Sequence, residues 1–222
     1  CSSDLFKDFA GTNVVTDIIV LRKRTEPLTM TPDADWIGLS EVKTSTKPVK
    51  VNSFYANNLR NVLGTIDYKG GEFGVGILTK EEPVSVDRYQ MAGKSEMRAA
   101  MVVEYEKFVV ASTNFDTDMA KRIEALQTLE TKLSAYNKPA FLLGYFNEGD
   151  LESEFFQMVK SNWNLLSADK STEVSGKKRR LDFIVSLKSH NVNVTQADVI
   201  ESLSGVDVTV ASTHYPLFCD FS

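Results

Sequence analysis

The chain alternates short apolar, β-branched runs with polar segments that are rich in turn-forming residues. The runs predict strands at 13–21, 36–39, 73–79, 98–105, 108–113, 141–147 and 181–185. Only Glu106 and Lys107 separate the fourth run from the fifth, which predicts an antiparallel hairpin. The third run contains Gly74 and Gly76, which indicates a close backbone approach or a bulge.

A helical period is clearest at 117–133. The apolar residues that recur there, about every 3.6 residues, are Met119, Ile123, Leu126, Leu129 and Leu133. Charged residues fall between them, so one face of this helix is expected to be buried, and Asp116 or Thr117 is placed to cap it. Two shorter helices are predicted at 53–63 and 152–160.

The order of these segments limits the fold classes and the number of domains that the chain can form. Strands and helices interleave without internal repeats, low-complexity tracts or an evident linker. The hairpin excludes an all-parallel sheet, so we expect a two-layer sheet core with helices outside it. The length of 222 residues suits one domain with its own core. We assign 13–222 to this domain and 1–12 to a polar leader.

Composition narrows the classes of function. With 42% apolar and 25% charged residues, the chain is typical of folded globular proteins. A net charge of -5 argues against a surface built mainly for nucleic acid, because affinity for phosphate backbones depends on Lys and Arg contacts. The basic run 177–180 is interpreted as a solvated loop in preference to a phosphate-facing patch. No apolar run reaches the roughly 18 residues of a membrane span.

The two cysteines, Cys1 and Cys219, are too few for a disulfide scaffold and lack neighbours at metal-ligand spacing. Cys219 is expected to be a buried thiol near the last strand. Cys1 is followed by Ser2, Ser3 and Asp4, which resembles a mature bacterial lipoprotein with a lipid on its first residue. The alternative is an arbitrary chain boundary. The lipoprotein interpretation predicts a location at the cell envelope or outside the cell, with membrane contact only through that lipid. Separately, we expect the protein to be a monomer.

Polar residues stand near the ends of several predicted strands. In chain order they are Glu41, Asn114, Asp116, Asn147, Asp182 and His214. Each of them alone is most often a cap or turn residue. Loops that leave rigid strands commonly carry active sites, so the ordered set indicates a candidate site.

The segments that contain these residues resemble the motifs of the endonuclease/exonuclease/phosphatase superfamily, which has the deoxyribonuclease I-like fold. The likeness extends from about residue 33 to 221 and rests on five motifs: 36–42, Thr113-Asn114-Phe115-Asp116, Gly144-Tyr145-Phe146-Asn147, Leu181-Asp182-Phe183-Ile184 and Ser212-Thr213-His214. It implies an α+β sandwich of four layers, in which two mixed sheets pack face to face with helices outside. It also implies Mg²⁺-dependent hydrolysis of phosphoesters in DNA, RNA ends, phosphoinositides or sphingomyelin.

Three residues depart from the family motifs at catalytic positions. Asn114 stands where the motif has His, and Tyr145 and Thr213 each stand where it has Asp. The resemblance implies that the Asp replaced by Tyr145 positions or deprotonates the attacking water. A phenol, with an ordinary pKa of about 10, is protonated at neutral pH and bulkier than a carboxylate, so Tyr145 is expected to fill part of the pocket instead. The family's first-strand Asn has no match, since Asn13 stands at the wrong end of its strand.

The other motif residues imply a weakened metal site. Glu41 corresponds to the family's metal-binding Glu, while Thr213 removes a second carboxylate. Mg²⁺ is usually held by one or two carboxylates together with substrate phosphates, so we expect it to bind weakly or not at all. The resemblance implies that Asp182 orients the imidazole of His214, and it assigns Asn147 to the same catalytic centre.

Three functions are compatible with these motifs. The first is a pseudoenzyme that keeps the fold and binds a phosphate-containing ligand or a protein partner at the cell envelope. The second is an active, divalent-metal-dependent phosphodiesterase or phosphatase with a site rebuilt from Glu41, Asn147, Asp116 and His214. The third is an unrelated α/β protein whose motifs match by chance. A Tyr145 side chain packed across the pocket onto His214 would favour the first over the second.

Overall fold

The computed structural model describes residues 18–23, 36–44, 60–68, 71–202, 207–209 and 212–222. The leader 1–12 with Cys1 lies outside these ranges, so its lipidation and the location of the protein stay predictions. Within the described ranges, no helix is both long and apolar enough to span a membrane.

Twelve strands and two helices lie within the described residues. The strands are β1 (Ile18–Lys23), β2 (Trp36–Thr44), β3 (Arg60–Tyr68), β4 (Gly71–Thr79), β5 (Ser85–Met91), β6 (Arg98–Glu104), β7 (Val109–Asn114), β8 (Ala140–Tyr145), β9 (Trp163–Leu165), β10 (Asp182–Leu187), β11 (Val194–Val199) and β12 (Leu217–Phe221). The helices are α1 (Met119–Leu133) and α2 (Glu154–Asn162).

The strands form two sheets. The first sheet has the order β11-β12-β1-β2-β4-β3, and the second has the order β5-β6-β7-β8-β10-β9. Both are mixed, because β1 pairs in parallel with β12, and β7 with β8, among otherwise antiparallel neighbours. The predicted fold class is therefore confirmed: two mixed sheets with helices outside.

Two hydrophobic clusters join the layers. The cluster between the sheets includes Val62, Val75, Ile77, Met101, Val110, Phe141, Leu143, Ile184, Leu217 and Cys219. The cluster between the second sheet and the helices includes Val109, Ala111, Leu126, Leu129, Leu142, Phe146, Phe155, Phe156, Phe183 and Val185. Alternate residues of β7, β8 and β10 belong to opposite clusters, so these strands are buried on both faces. This double burial explains why each strand has apolar residues at consecutive positions, namely 109–111, 140–143 and 183–185.

The predicted hairpin and the main helix are confirmed. Strands β6 and β7 pair antiparallel, and α1 ends at the predicted residue. The predicted cap is wrong, because the side chain of Asp118 accepts the Lys121 N–H at the start of α1. The carboxylate of Asp116 instead accepts the N–H of Asp118, so it supports the capping residue from two positions earlier in the chain. The buried thiol of Cys219 is also as predicted, and burial raises its pKa to about 12.

Two local predictions are wrong. The helix expected at 53–63 is contradicted over its last four residues, which belong to β3, and 53–59 lie outside the described residues. Pairing along the whole length of β4 outweighs the mixed apolar spacing of this segment. The strand expected to end before Glu41 continues to Thr44, with a register shift between Leu39 and Val42. Glu41 thus lies within a distorted part of β2 and not at a strand end.

The glycines of β4 make the predicted close backbone approach. A Cβ atom on Gly74 would lie 2.1 Å from the carbonyl oxygen of Gly64 on β3. No side chain fits in that space, because the obstructing atom belongs to the backbone of the neighbouring strand. The prediction of a close approach in this run is confirmed.

Candidate functional site

Three of the predicted site residues lie side by side on neighbouring strands. Asn114 at the end of β7 pairs with Tyr145 at the end of β8, and Tyr145 pairs with Asp182 at the start of β10. Directly paired residues project from the same face of a sheet. This face is the one toward the first sheet, since Leu143 and Ile184, two residues from Tyr145 and Asp182, belong to the cluster between the sheets.

His214 reaches this row from the first sheet. It precedes β12, and its Nδ1 lies 2.6 Å from Oδ2 of Asp182. The N–H of His214 donates to the hydroxyl of Ser212, which fixes the turn that presents the ring. Both partners are buried, with 7% of His214 and 1% of Asp182 exposed. The predicted pair is therefore formed, and it joins the edges of the two sheets.

The ring of Tyr145 packs against the imidazole of His214. The two ring centroids are 4.8 Å apart, and the planes are inclined by 80°. Such an edge-to-face contact is typical of stable aromatic packing. Tyr145, which the motif resemblance places where an Asp is expected, thus lies directly against His214.

Asn147 supports the loop that leaves β8. Its backbone has a φ of 55°, a left-handed conformation that Asn tolerates better than most residues. Its side-chain amide donates to the carbonyl of Phe115 at 2.7 Å and to Oδ1 of Asn114 at 3.4 Å. Its own carbonyl accepts from Arg122, which also pairs with Glu148 at 2.9 Å. Asn147 therefore ties the ends of β7 and β8 to α1.

Asp116 is engaged in structural contacts. One oxygen accepts the N–H of Asp118 at 2.8 Å, and the other accepts from Nε of Arg98 at 3.1 Å and from the N–H of Lys94 at 3.3 Å. Burial acts to raise the pKa of Asp116, but these hydrogen bonds outweigh it and hold the pKa below its ordinary value. Its carboxylate therefore stabilises the loop before α1, and none of these hydrogen bonds connects it to His214.

Thr213 lies at the exposed side of the site. Its carbonyl accepts the N–H of Val174 at 2.9 Å, and His214 forms an isolated β-bridge with Glu173. The hydroxyl of Thr172 accepts the N–H groups of Leu181 and Asp182. The segment before β10 is thereby fastened beside the histidine.

One pair in this segment was missed from the sequence. Arg179 donates from Nε and Nη2 to the two carboxylate oxygens of Glu173, both at 2.7 Å. These bonds hold the pKa of Glu173 at about 2, and they raise the pKa of Arg179, to which Tyr145 adds a smaller effect. The run 177–180 drew attention only as a basic loop, and nothing in the sequence marked Glu173 as its partner.

The Mg²⁺ site predicted at Glu41 and Thr213 stays a prediction, because the side chain of Glu41 lies outside the described residues. Mg²⁺ favours carboxylate oxygens in octahedral arrangement, but the carboxylate at this site, Asp182, is committed to His214 through one oxygen. The other oxygen of Asp182 is buried and has no hydrogen-bond partner among the described residues. Across the same residues, no three His, Cys, Asp or Glu side chains lie close enough together to hold a metal.

Comparison with known proteins identifies the fold. No family model matches the sequence, and no curated protein matches it. A structure of the endonuclease/exonuclease/phosphatase from Bacteroides vulgatus is similar, with a TM-score of 0.69 and 16% identity over 95% of this chain and 99% of that one. A mannosyl-6-phosphatase from Bacteroides thetaiotaomicron has a TM-score of 0.58 and 15% identity over 74% and 76% of the two chains.

A human protein has the same architecture. The catalytic domain of Nocturnin, solved with bound sulfate, has a TM-score of 0.58 and 19% identity over 77% of this chain and 74% of that one. At these identities the likeness concerns the fold, and it agrees with the two mixed sheets described above. The chain therefore has the deoxyribonuclease I-like fold of the endonuclease/exonuclease/phosphatase proteins.

Proposed function

We propose that this chain is a divergent endonuclease/exonuclease/phosphatase protein that has lost the hydrolytic centre and uses the retained surface to bind a ligand or partner. The contact between Tyr145 and His214 carries this proposal. It puts a phenol ring beside the imidazole, at the motif position where the family has a carboxylate.

The chemistry of phosphoester hydrolysis explains why the contact between Tyr145 and His214 argues against catalysis. Hydrolysis needs an activated water, and a positioned base typically contributes about 10²–10⁴-fold to the rate. Tyr145 offers a protonated phenol at neutral pH in place of a carboxylate, and its ring occupies space beside the imidazole. Asn114 offers an amide in place of an imidazole, and Thr213 offers a hydroxyl in place of a carboxylate. A bound metal, here expected to be weak or absent, would find few anionic donors.

One observation favours the alternative, an active divalent-metal-dependent phosphodiesterase or phosphatase. Asp182 and His214 are held at 2.6 Å in a buried site, as a catalytic pair would be. A structural role explains the same pair, because it joins the two sheets at the site edge. Asp116, which a rebuilt metal site would need, is already bonded to Arg98.

Restoring the missing carboxylates tests the proposal. The Tyr145→Asp/Thr213→Asp double variant and the wild type are assayed with bis(p-nitrophenyl) phosphate in Mg²⁺ or Mn²⁺. We expect no hydrolysis by the wild type that depends on His214, and a measurable rate in the double variant that His214→Ala abolishes. Titration calorimetry with Mg²⁺ should show a gain in metal affinity in the double variant.

The matched control is Tyr145→Asn/Thr213→Asn, which opens the same space without adding charge. It should stay inactive, because the pocket volume alone supplies neither a base nor a metal ligand. Wild-type hydrolysis that His214→Ala abolishes would refute the pseudoenzyme and establish the alternative.

A further inference from the structure

A cleft of about 660 Å³ opens beside Asn147. One wall is the loop 147–151 that follows β8, and the other wall is formed by 169–171 and 178–181. Its volume lies within the range of about 300–1,000 Å³ that small-molecule sites occupy. The cleft is therefore adjacent to the candidate site but is built largely from residues outside the family motifs.

Arg179 on the second wall is oriented by Glu173. The carboxylate of Glu173 is buried, with 9% of the residue exposed, and holds Nε and Nη2 of the guanidinium in two bonds of 2.7 Å. The side chain of Arg179 is half exposed, and Nη1 has no hydrogen-bond partner within the described part of the chain. A guanidinium fixed on one edge and open on the other is pre-organised to bind an oxyanion.

The other charges of the cleft are mostly compensated. Arg180 pairs with Asp169 at 3.1 Å, and Lys170 pairs with Asp198 at 2.6 Å. Lys178, next to Arg179, is exposed and forms no ion pair with a described residue. The wall at 178–179 therefore offers two neighbouring donors to one anionic group.

The opposite wall limits what that ligand can be. Glu148 is neutralised by Arg122 at 2.9 Å, but Asp150 is exposed and carries its charge into the same cleft. A polyanion such as a nucleic acid would meet repulsion there, whereas a ligand with one phosphate and a neutral remainder would not. The polar lining also suits hydroxyl groups on that remainder.

We propose that this cleft binds the phosphate monoester of a neutral, hydroxylated small molecule, with Arg179 as its anchor, Lys178 as the second cation and Glu173 as the residue that positions Arg179. This inference rests on the proposed binding function and names its ligand class. It requires no hydrolysis, since Arg179 contacts the ligand's oxygens without acting on its bonds.

Calorimetric titration of the wild-type protein with glucose 6-phosphate tests the proposal. We expect a dissociation constant of about 0.1–1 mM, with glucose showing no binding and inorganic phosphate binding more weakly. Arg179→Met should weaken binding at least about tenfold, and Arg179→Lys, which keeps the charge but loses the fork, should weaken it by less. Glu173→Gln should weaken binding roughly threefold or more while leaving the guanidinium present.

Lys160→Met is the matched control, because Lys160 is a surface cation paired with Glu152 and does not line the cleft. The proposal is overturned if glucose 6-phosphate fails to bind at about 10 mM, or if Lys160→Met and Arg179→Met weaken binding equally. Release of inorganic phosphate is followed in the same samples. Release that His214→Ala abolishes would overturn the pseudoenzyme alone, while failure of the wild type to bind glucose 6-phosphate would overturn the cleft proposal alone.

Discussion

Gly144 allows β7 and β8 to approach at the site edge, and its replacement gives a sharp test of that packing. Its φ is +151°, and a Cβ atom there would lie 1.9 Å from the carbonyl oxygen of Thr113. Carbon and carbonyl oxygen normally approach no closer than about 3.3 Å, so Gly144→Ala would force the paired strands apart by more than about 1 Å. The row that carries Tyr145 would shift with them.

Gly176 provides a control that separates the cost of backbone strain from the cost of the steric clash. Its φ is +77°, and a Cβ atom there would have nothing within 4 Å. Gly176→Ala therefore carries the backbone strain without the clash, about 1 kcal/mol after allowance for the entropy of the unfolded chain. Gly144→Ala adds overpacking in the middle of the second sheet, so we expect a loss of at least about 3 kcal/mol in the free energy of unfolding.

Urea and thermal unfolding followed by circular dichroism measure both variants. For a domain of this size, about 1 kcal/mol corresponds to roughly 2–4 °C in Tm, so Gly144→Ala should unfold roughly 6–12 °C below the wild type. Gly176→Ala should fall by only a few degrees. If the two variants lose equal stability, within about 0.5 kcal/mol, the close approach of β7 and β8 is refuted.

Two further predictions concern carboxylates. Because the pKa of Glu173 lies at about 2, below its ordinary 4.5, the pair with Arg179 stabilises the fold above about pH 4.5 and loses this effect as the pH falls toward 2. In urea unfolding, the free energy of unfolding of the wild type should fall by about 1–2 kcal/mol more than that of Glu173→Gln between about pH 5 and 2.5. This figure is reduced because Arg179 is half exposed. Equal falls in the two proteins would contradict a stabilising pair. Asp118→Ala should cost about 1 kcal/mol as a lost N-cap. Asp116→Ala should cost about 3 kcal/mol, because it removes the buried carboxylate bonded to Nε of the largely buried Arg98 and leaves it only the longer pair with Glu96 at 3.5 Å. The same unfolding measurement ranks the two variants, and the reverse order would show that Asp116 is not the support of the helix start.

Much of the second sheet could be predicted from local patterns. Strands β7, β8 and β10 are buried on both faces, so each contains a run of at least three consecutive apolar residues that indicates a strand without tertiary information. Helix α1 was equally clear, because one face packs on the sheet and the other faces solvent. Errors arose where distant pairing decided the outcome, as in β3, whose conformation is imposed by β4.

The cap of α1 and the salt bridge of Glu173 show a second kind of limit. Asp116, Thr117 and Asp118 all have side chains that can cap a helix, and the choice depends on the loop geometry that Arg98 imposes from another strand. The partner of Arg179 depends on the turn between 173 and 179, whose polar residues carry no periodic signal. Such contacts depend on backbone paths that local composition does not determine.

The sequence by itself determined the order of the motifs, the fold class and the three departures at Asn114, Tyr145 and Thr213. Only the tertiary structure decided that the ring of Tyr145 lies against His214. Tyr145 ends a strand of the second sheet, whereas His214 lies far along the chain, in the segment that leads into β12 of the first sheet. Their distance is therefore set by how the two sheets pack face to face. The identity of a side chain follows from its position in the chain, but its neighbour across two layers follows from the packing of the whole core.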